Sequence, residues 1–125
     1  MSEQSSLEYF SVTRRGEIVV IVPNADVEQL PSNVIETAAQ VVLAPLKEAP
    51  PSLVVIDLSQ VSYFGSEFIS FLLRCHLVVK KHSGELVIAG VSDRIKELLS
   101  QTNLDTIWAI YPTVDEAIQM LGGAY

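Results

Sequence analysis

The stretch LVVIDLSQVSYFGSEFISFLLRC, residues 53–75, decides the fold of this chain. Its first six residues, Leu53 to Leu58, form a near-continuous apolar run. A strand reads this way when both of its faces are covered, as in a parallel sheet. After a short polar link comes the pair Gly65-Ser66, and then apolar residues recur at helical spacing to about residue 82. A buried strand, a corner and a helix in this order are half of a β-α-β unit. The hydroxyl and the glycine sit at the corner.

The same reading extends both ways. LEYFSVT (7–13) and EIVVIVP (17–23) are rich in β-branched and aromatic residues, and the short RRG link predicts an antiparallel hairpin. A helix is expected over 33–46, capped by Ser32 and ended or kinked by Pro45. The helix over 66–82 should close at Ser83-Gly84 with the glycine in the C-terminal position. ELVIAG (85–90) reads as a second buried strand, and SDRIKELLSQT (92–102) as a helix capped by Ser92. TIWAIY (106–111) reads as an edge strand, and Thr113 with Glu116 as a capping box opening the last helix. The order β-β-α-β-α-β-α-β-α predicts an α/β domain with a mixed, mostly parallel sheet and an N-terminal hairpin. Residues 1–6 are expected to be disordered and 7–125 to form one domain.

Composition narrows the function. Of the 125 residues, 49% are apolar and only 18% are charged, so many positions should be buried or face a partner. The net charge of −7 disfavours nucleic acid and anionic membrane surfaces as partners. No run approaches the ~20 apolar residues of a membrane span, and no apolar signal core opens the chain. The single cysteine, Cys75, permits no internal disulfide. A reducing, cytoplasmic setting is expected.

In such a sheet, functional groups gather at the C-terminal ends of the parallel strands. The candidates there are Asn24, Asp26, Asp57, Ser59, Ser62, Gly65, Ser66, Ser92 and Asp93. Catalysis fits them poorly. A nucleophilic serine needs a base in hydrogen-bond reach, and His76 lies ten residues along the same helix, about 15 Å away. Cys, His and carboxylates do not cluster at metal-ligand spacing, no Walker or dinucleotide loop is present, and no cofactor is expected. LVVID resembles the strand that carries the phospho-acceptor aspartate of response-regulator receivers, which would make Asp57 the acceptor. Against this, the first strand ends in SVTRRG rather than an acidic pair, and no lysine follows Lys96.

Ser66 has two readings. It can cap the helix by accepting an amide hydrogen, worth about 1 kcal/mol. It can also carry a phosphate, since a helix N-terminus tolerates added negative charge. At 100° per residue Glu67, Ser70, Arg74 and Lys81 share one face with Phe71 and Val78, while Phe68, Ile69, Leu72, Cys75, His76 and Val79 lie opposite and cover the sheet. Phe71 and Val78 are thus expected to be part-exposed, as the dry centre of a docking stripe that begins beside Ser66.

Residues 53–121 resemble the STAS domain, the family of bacterial anti-sigma factor antagonists that also supplies the cytoplasmic tails of sulfate transporters. The family strand ends in DLS-x-V-x-x-[apolar]-D-S before a helix; here it reads VVIDLSQVSYFGS, and the likeness runs on through SGELVIAGVSDRIKELLSQTNLDTIWAIYPTVDEAIQML. The resemblance implies a mixed sheet with helices largely on one side and a non-catalytic role in signal transduction and transcription regulation. It also implies a partner serine kinase that is itself the anti-sigma factor, bound by the unphosphorylated form. By position it makes Ser66 the phosphorylated serine and Asp26 the acidic residue of the neighbouring loop. With them, Gly65, Glu67, Ser70, Phe71, Arg74 and Val78 form the expected partner surface. In one departure, Gly65 stands where the family usually has aspartate. The alternative is a nucleotide-type sensor, using loops 24–33 and 59–66 as a pocket, or a subunit of a larger signalling assembly that works without phosphorylation.

Overall fold

The computed structural model describes residues 9–29 and 32–121, with the backbone alone for Gln29 and Ser32. The expected disordered segment 1–6 and the expected Ser32 cap lie outside what is described. Five strands form one sheet in sequential order: β1 (Phe10–Arg15), β2 (Ile18–Pro23), β3 (Leu53–Asp57), β4 (Glu85–Ala89) and β5 (Ile110–Tyr111). β1 and β2 pair antiparallel and every later pair is parallel. Among the described residues three helices connect the parallel strands, α1 (Ser32–Glu48), α2 (Ser66–Lys81) and α3 (Asp93–Gln101), and a fourth, α4 (Val114–Leu121), follows β5. This is the mixed, mostly parallel sheet with an N-terminal hairpin that the patterning predicts.

The two faces of the sheet are unequal. Val19, Ile21, Val54, Ile56, Leu86 and Ile88 point into the main core under α1, α2 and α3. On the other face, among the described residues, Ile18, Leu53, Val55, Val87 and Ala89 are covered by α4, through Ala117 with Val114 and Ile118 at the margin. Period-2 alternation thus puts both sets in the dry interior, which is why LVVID reads as an unbroken apolar run.

Three local expectations change. Of the two outcomes expected at Pro45, an end or a kink in the last turn, the end does not occur, since α1 continues to Glu48. Near the C-terminus its ring removes one internal hydrogen bond, and Ala49 N–H still donates to the Pro45 carbonyl at 3.1 Å. After α2, Ser83 rather than Gly84 takes the left-handed conformation, with φ 64°. Ser83 N–H donates to Lys80 O (3.0 Å) and Gly84 N–H to Val79 O (2.9 Å), the paired bonds of a Schellman close. Gly84 is instead required by space, because a Cβ there would sit 2.8 Å from the Pro51 carbonyl oxygen.

The third change concerns 106–111, which supplies only the two-residue strand β5 at the sheet edge. Asn103 turns the chain at φ 61° into a 3-10 turn over Leu104–Thr106, and Trp108 is buried in the main core. The turn and the burial of the indole leave too little extended chain for a longer strand.

Candidate functional site around Ser66

All four phenylalanines of the chain meet beneath the start of α2. Phe64 and Phe68 lie 5.7 Å apart, Phe68 and Phe71 5.6 Å, and Phe71 and Phe10 4.8 Å between ring centres. Phe64 and Phe68 are buried, and the Gly65-Ser66-Glu67 tripeptide between them is exposed. Two anchored rings thus present a short polar segment to solvent.

Ser66 is not the cap of α2. Gly65 holds that position, with extended φ −111° and ψ −168°, and no side chain caps the helix. The helix begins one residue earlier than the hydroxyl pattern implies, because Gly65 O already accepts from Ile69 N–H at 3.1 Å. Ser66 is the first helical residue, and its hydroxyl faces only the neighbouring Glu67 Oε1 at a loose 3.5 Å. The first-turn amides of α2 therefore lack the side-chain acceptor that a capped helix has.

Beside Ser66 a groove of about 260 Å³ runs between α1 and α2. α2 lines it with Ser66, Glu67, Ser70, Phe71 and Arg74, and α1 with Ile35, Glu36 and Ala39. Arg74 Nη1 and Glu36 Oε1 bridge the two helices at 2.5 Å. The expected stripe therefore divides. Phe71 is not part-exposed: it is buried at 2% exposure, because α1 and Phe10 cover a flank that a helix wheel drawn against the sheet alone leaves open. Its ring is floor, not contact surface. Val78 does not line this groove and lies beside Leu77 near the other end of α2.

Asp26 also lies outside the groove lining. It is exposed on a 3-10 turn over Ala25–Gln29, its N–H bonded to Asn24 Oδ1 at 2.9 Å. That turn is tied to the strand-to-helix loop by Glu28, whose Oε2 accepts from Ser62 N–H (3.2 Å) and Ser62 Oγ–H (2.8 Å). Glu28 and Glu36 were not singled out in the sequence. Their partners lie 34 and 38 residues away, and no local period links positions that far apart.

Cys75, His76 and Asp57 are otherwise engaged. Cys75 is buried, and desolvation pushes its thiol up to about 12, far from a reactive thiolate. His76 Nδ1 accepts a hydrogen bond from Trp108 Nε1 at 3.0 Å. Desolvation, then Lys80, lowers its pKa, with Glu85 opposing. Asp57 Oδ1 accepts the Ser59 amide at 2.9 Å. Among the described residues no three Cys, His or carboxylate side chains gather to hold a metal ion. Nor is any helix long and apolar enough to cross a membrane.

Solved structures resemble the whole of this architecture. An anti-sigma-factor antagonist (STAS) domain protein from Planctomyces limnophilus matches at 33% identity and a TM-score of 0.76, over 89% of this chain and 95% of that one. The anti-sigma factor antagonist SpoIIAA in its unphosphorylated form matches at 15% identity and a TM-score of 0.78, over 93% and 98%. The phosphorylated form of SpoIIAA, a Bacillus cell fate determinant, matches at 15% identity and 0.70, over 90% and 98%. The family model of the STAS domain matches residues 9–117, nearly all of the described fold. The chain belongs to the STAS domain family.

Proposed function

We propose that this chain is a non-catalytic regulatory module of the anti-sigma factor antagonist kind, working in the cytoplasm. Its partner is a serine kinase that is also an anti-sigma factor, and phosphorylation of Ser66 switches their association. The observation that carries this reading is the Ser66 hydroxyl itself: exposed, freed from capping, and set on the lip of the groove between α1 and α2. A phosphate there would add about −1.5 to −2 charge. The uncapped amides at the start of α2 favour that charge locally. Glu36 in the same groove is paired with Arg74, so Glu67 is the groove's unpaired charge among the described residues, and a phosphate beside it would make the docking surface strongly acidic. The switch then acts on the partner's approach and leaves the sheet untouched. SpoIIAA, which shares the fold, exists in both forms.

The groove suits contact better than ligand capture. At about 260 Å³ it falls below the roughly 300–1,000 Å³ of small-molecule sites. Ser66, Glu67, Ser70 and Arg74 supply the polar contacts, Gly65 the open approach, and Asp26 a neighbouring acidic turn. Phosphorylation by the partner kinase and ATP, read by peptide mass spectrometry, is expected on Ser66. Phosphate on another hydroxyl, or none from a kinase that binds the chain, overturns the switch. Ser66→Asp should weaken kinase binding at least ~tenfold, equivalent to about 1.4 kcal/mol.

A further inference from the structure

The other end of the α1–α2 pair carries a second surface. Leu77, Val78, Lys81 and His82 from α2 and its C-terminus, with Lys47 from the last turn of α1, line a cavity of about 290 Å³. Leu77 is 68% exposed. No acidic residue lines this cavity, although the chain has 15 acidic residues against 8 lysines and arginines. Lys80 pairs with Glu85, whereas neither Lys47 nor Lys81 forms an ion pair among the described residues. Cations in the last turn of a helix offset its dipole, which accounts for two lysines. It accounts neither for the exposed leucine that shares this lining nor for the hollow itself.

We infer that this is a docking surface for an acidic amphipathic segment of another protein. An apolar side chain of that segment sits on Leu77 and Val78, and its carboxylates face Lys47 and Lys81. Charge complementarity selects this occupant. Two copies of this chain meeting symmetrically here would bring Lys47 and Lys81 of each against those of the other. An anionic bilayer is an extended plane that meets the wider surface of a molecule whose net charge is −7, whereas a single segment in the cavity meets chiefly Lys47 and Lys81, the charges within a screening length of it. The surface is also independent of the Ser66 switch. Its near edge, Leu77, lies eleven residues along α2 from Ser66, about 16 Å at 1.5 Å per residue, against a screening length of about 8 Å at physiological salt.

Fluorescence anisotropy with three labelled synthetic helical peptides of equal length tests this: a Glu/Leu amphipathic peptide, a Lys/Leu one, and a Glu-rich one without apolar residues. The Glu/Leu peptide is expected to bind and to weaken as salt rises. The double variant Lys47→Glu/Lys81→Glu and the single variant Leu77→Ser are each expected to weaken it at least ~tenfold, and Ser66→Asp to leave it unchanged. All altered side chains are exposed, so circular dichroism should show an intact fold. Equal or tighter binding of the Lys/Leu peptide, no binding of the Glu/Leu peptide, or binding indifferent to these variants overturns the proposal. So does dimerisation abolished by Leu77→Ser, which makes the occupant a second copy, or retention on phosphatidylglycerol vesicles, which makes it a membrane. Because Ser66→Asp is the control here and the active variant in the kinase experiment, failure of one reading leaves the other standing.

Discussion

The starts of α2 and α3 look alike in sequence and differ in structure. At α3, Ser92 stands just before the helix and its hydroxyl accepts from Ile95 N–H at 3.2 Å. α4 repeats the device, with Thr113 accepting from Glu116 N–H at 3.1 Å. At α2 the hydroxyl falls one residue later, inside the helix, and glycine holds the cap. A capping hydroxyl is occupied by the helix it starts; shifted by one position, it is available for chemistry. Beneath that uncapped start the buried rings of Phe64 and Phe68 pack 5.7 Å apart, and burial of such rings can offset the missing cap. The division of labour is sharp: aromatic packing positions the corner and leaves Ser66 without a structural duty.

The largest effect that tests this contrast is Phe68→Ala. Removing a buried ring from the cluster should cost about 3–5 kcal/mol, read as a drop in the urea midpoint. A cost near 1 kcal/mol would mean that the corner is held by something other than the rings. Next come the hydroxyls. Ser92→Ala and Thr113→Ala should each cost about 1 kcal/mol. Ser66→Ala should change stability by less than about 0.5 kcal/mol, as an exposed side chain outside any cap does. If Ser66→Ala proves as costly as Ser92→Ala, Ser66 is a cap and the contrast collapses.

The middle of α2 is fastened differently again, by the bond from Trp108 to His76. Neutral His76 accepts at Nδ1; the imidazolium has a proton there and cannot. Its pKa is lowered from the ordinary 6.5, first by desolvation, then by Lys80, with Glu85 opposing. The unfolded chain therefore takes up the proton first as pH falls. This contribution to stability is complete above pH 6.5 and is lost as pH falls through the lower folded value. Trp108 is the only tryptophan, so its emission should shift over the same acid range. His76→Phe should abolish that shift while leaving the capped starts of α3 and α4 unaffected. An unchanged titration in His76→Phe would remove the histidine from the account.

These contrasts show what the sequence discloses. The buried strands were legible because Val54, Val55, Ile56, Val87 and Ile88 must all avoid water, and covering both faces requires crossover helices. The caps at Ser92 and Thr113 were legible because a hydroxyl three residues before an amide is a local pattern. Phe71 was misplaced because a helix wheel contains one partner, whereas α2 has the sheet on one side and α1 on the next. The Glu36–Arg74 bridge and the Glu28–Ser62 clamp were invisible, each depending on how two distant elements meet. Ser66 stands out by residue type and family position, but the cap expected there falls one residue earlier, on Gly65, the scale on which helix ends are least defined by pattern. That single residue separates an occupied hydroxyl from a free one.

Gly65→Asp gives the smallest change in stability and the sharpest test of the contrast. The fold does not demand glycine here: the backbone is extended, at φ −111° and ψ −168°, and an added Cβ meets nothing within 4 Å. Aspartate is among the best N-caps and exceeds glycine there by only a few tenths of a kcal/mol. Its charge at the positive end of α2 adds about 0.3–1 kcal/mol. The variant should therefore be slightly more stable than the parent, by up to about 1 kcal/mol. It also returns the family's carboxylate to the position beside the Ser66 hydroxyl, where it can hold that oxygen for phosphoryl transfer. Faster phosphorylation of Ser66 with this small gain in stability is the expected result. The same gain with an unchanged rate would show that the aspartate serves only the helix, and that Ser66 in this chain is already as free to react as its position allows.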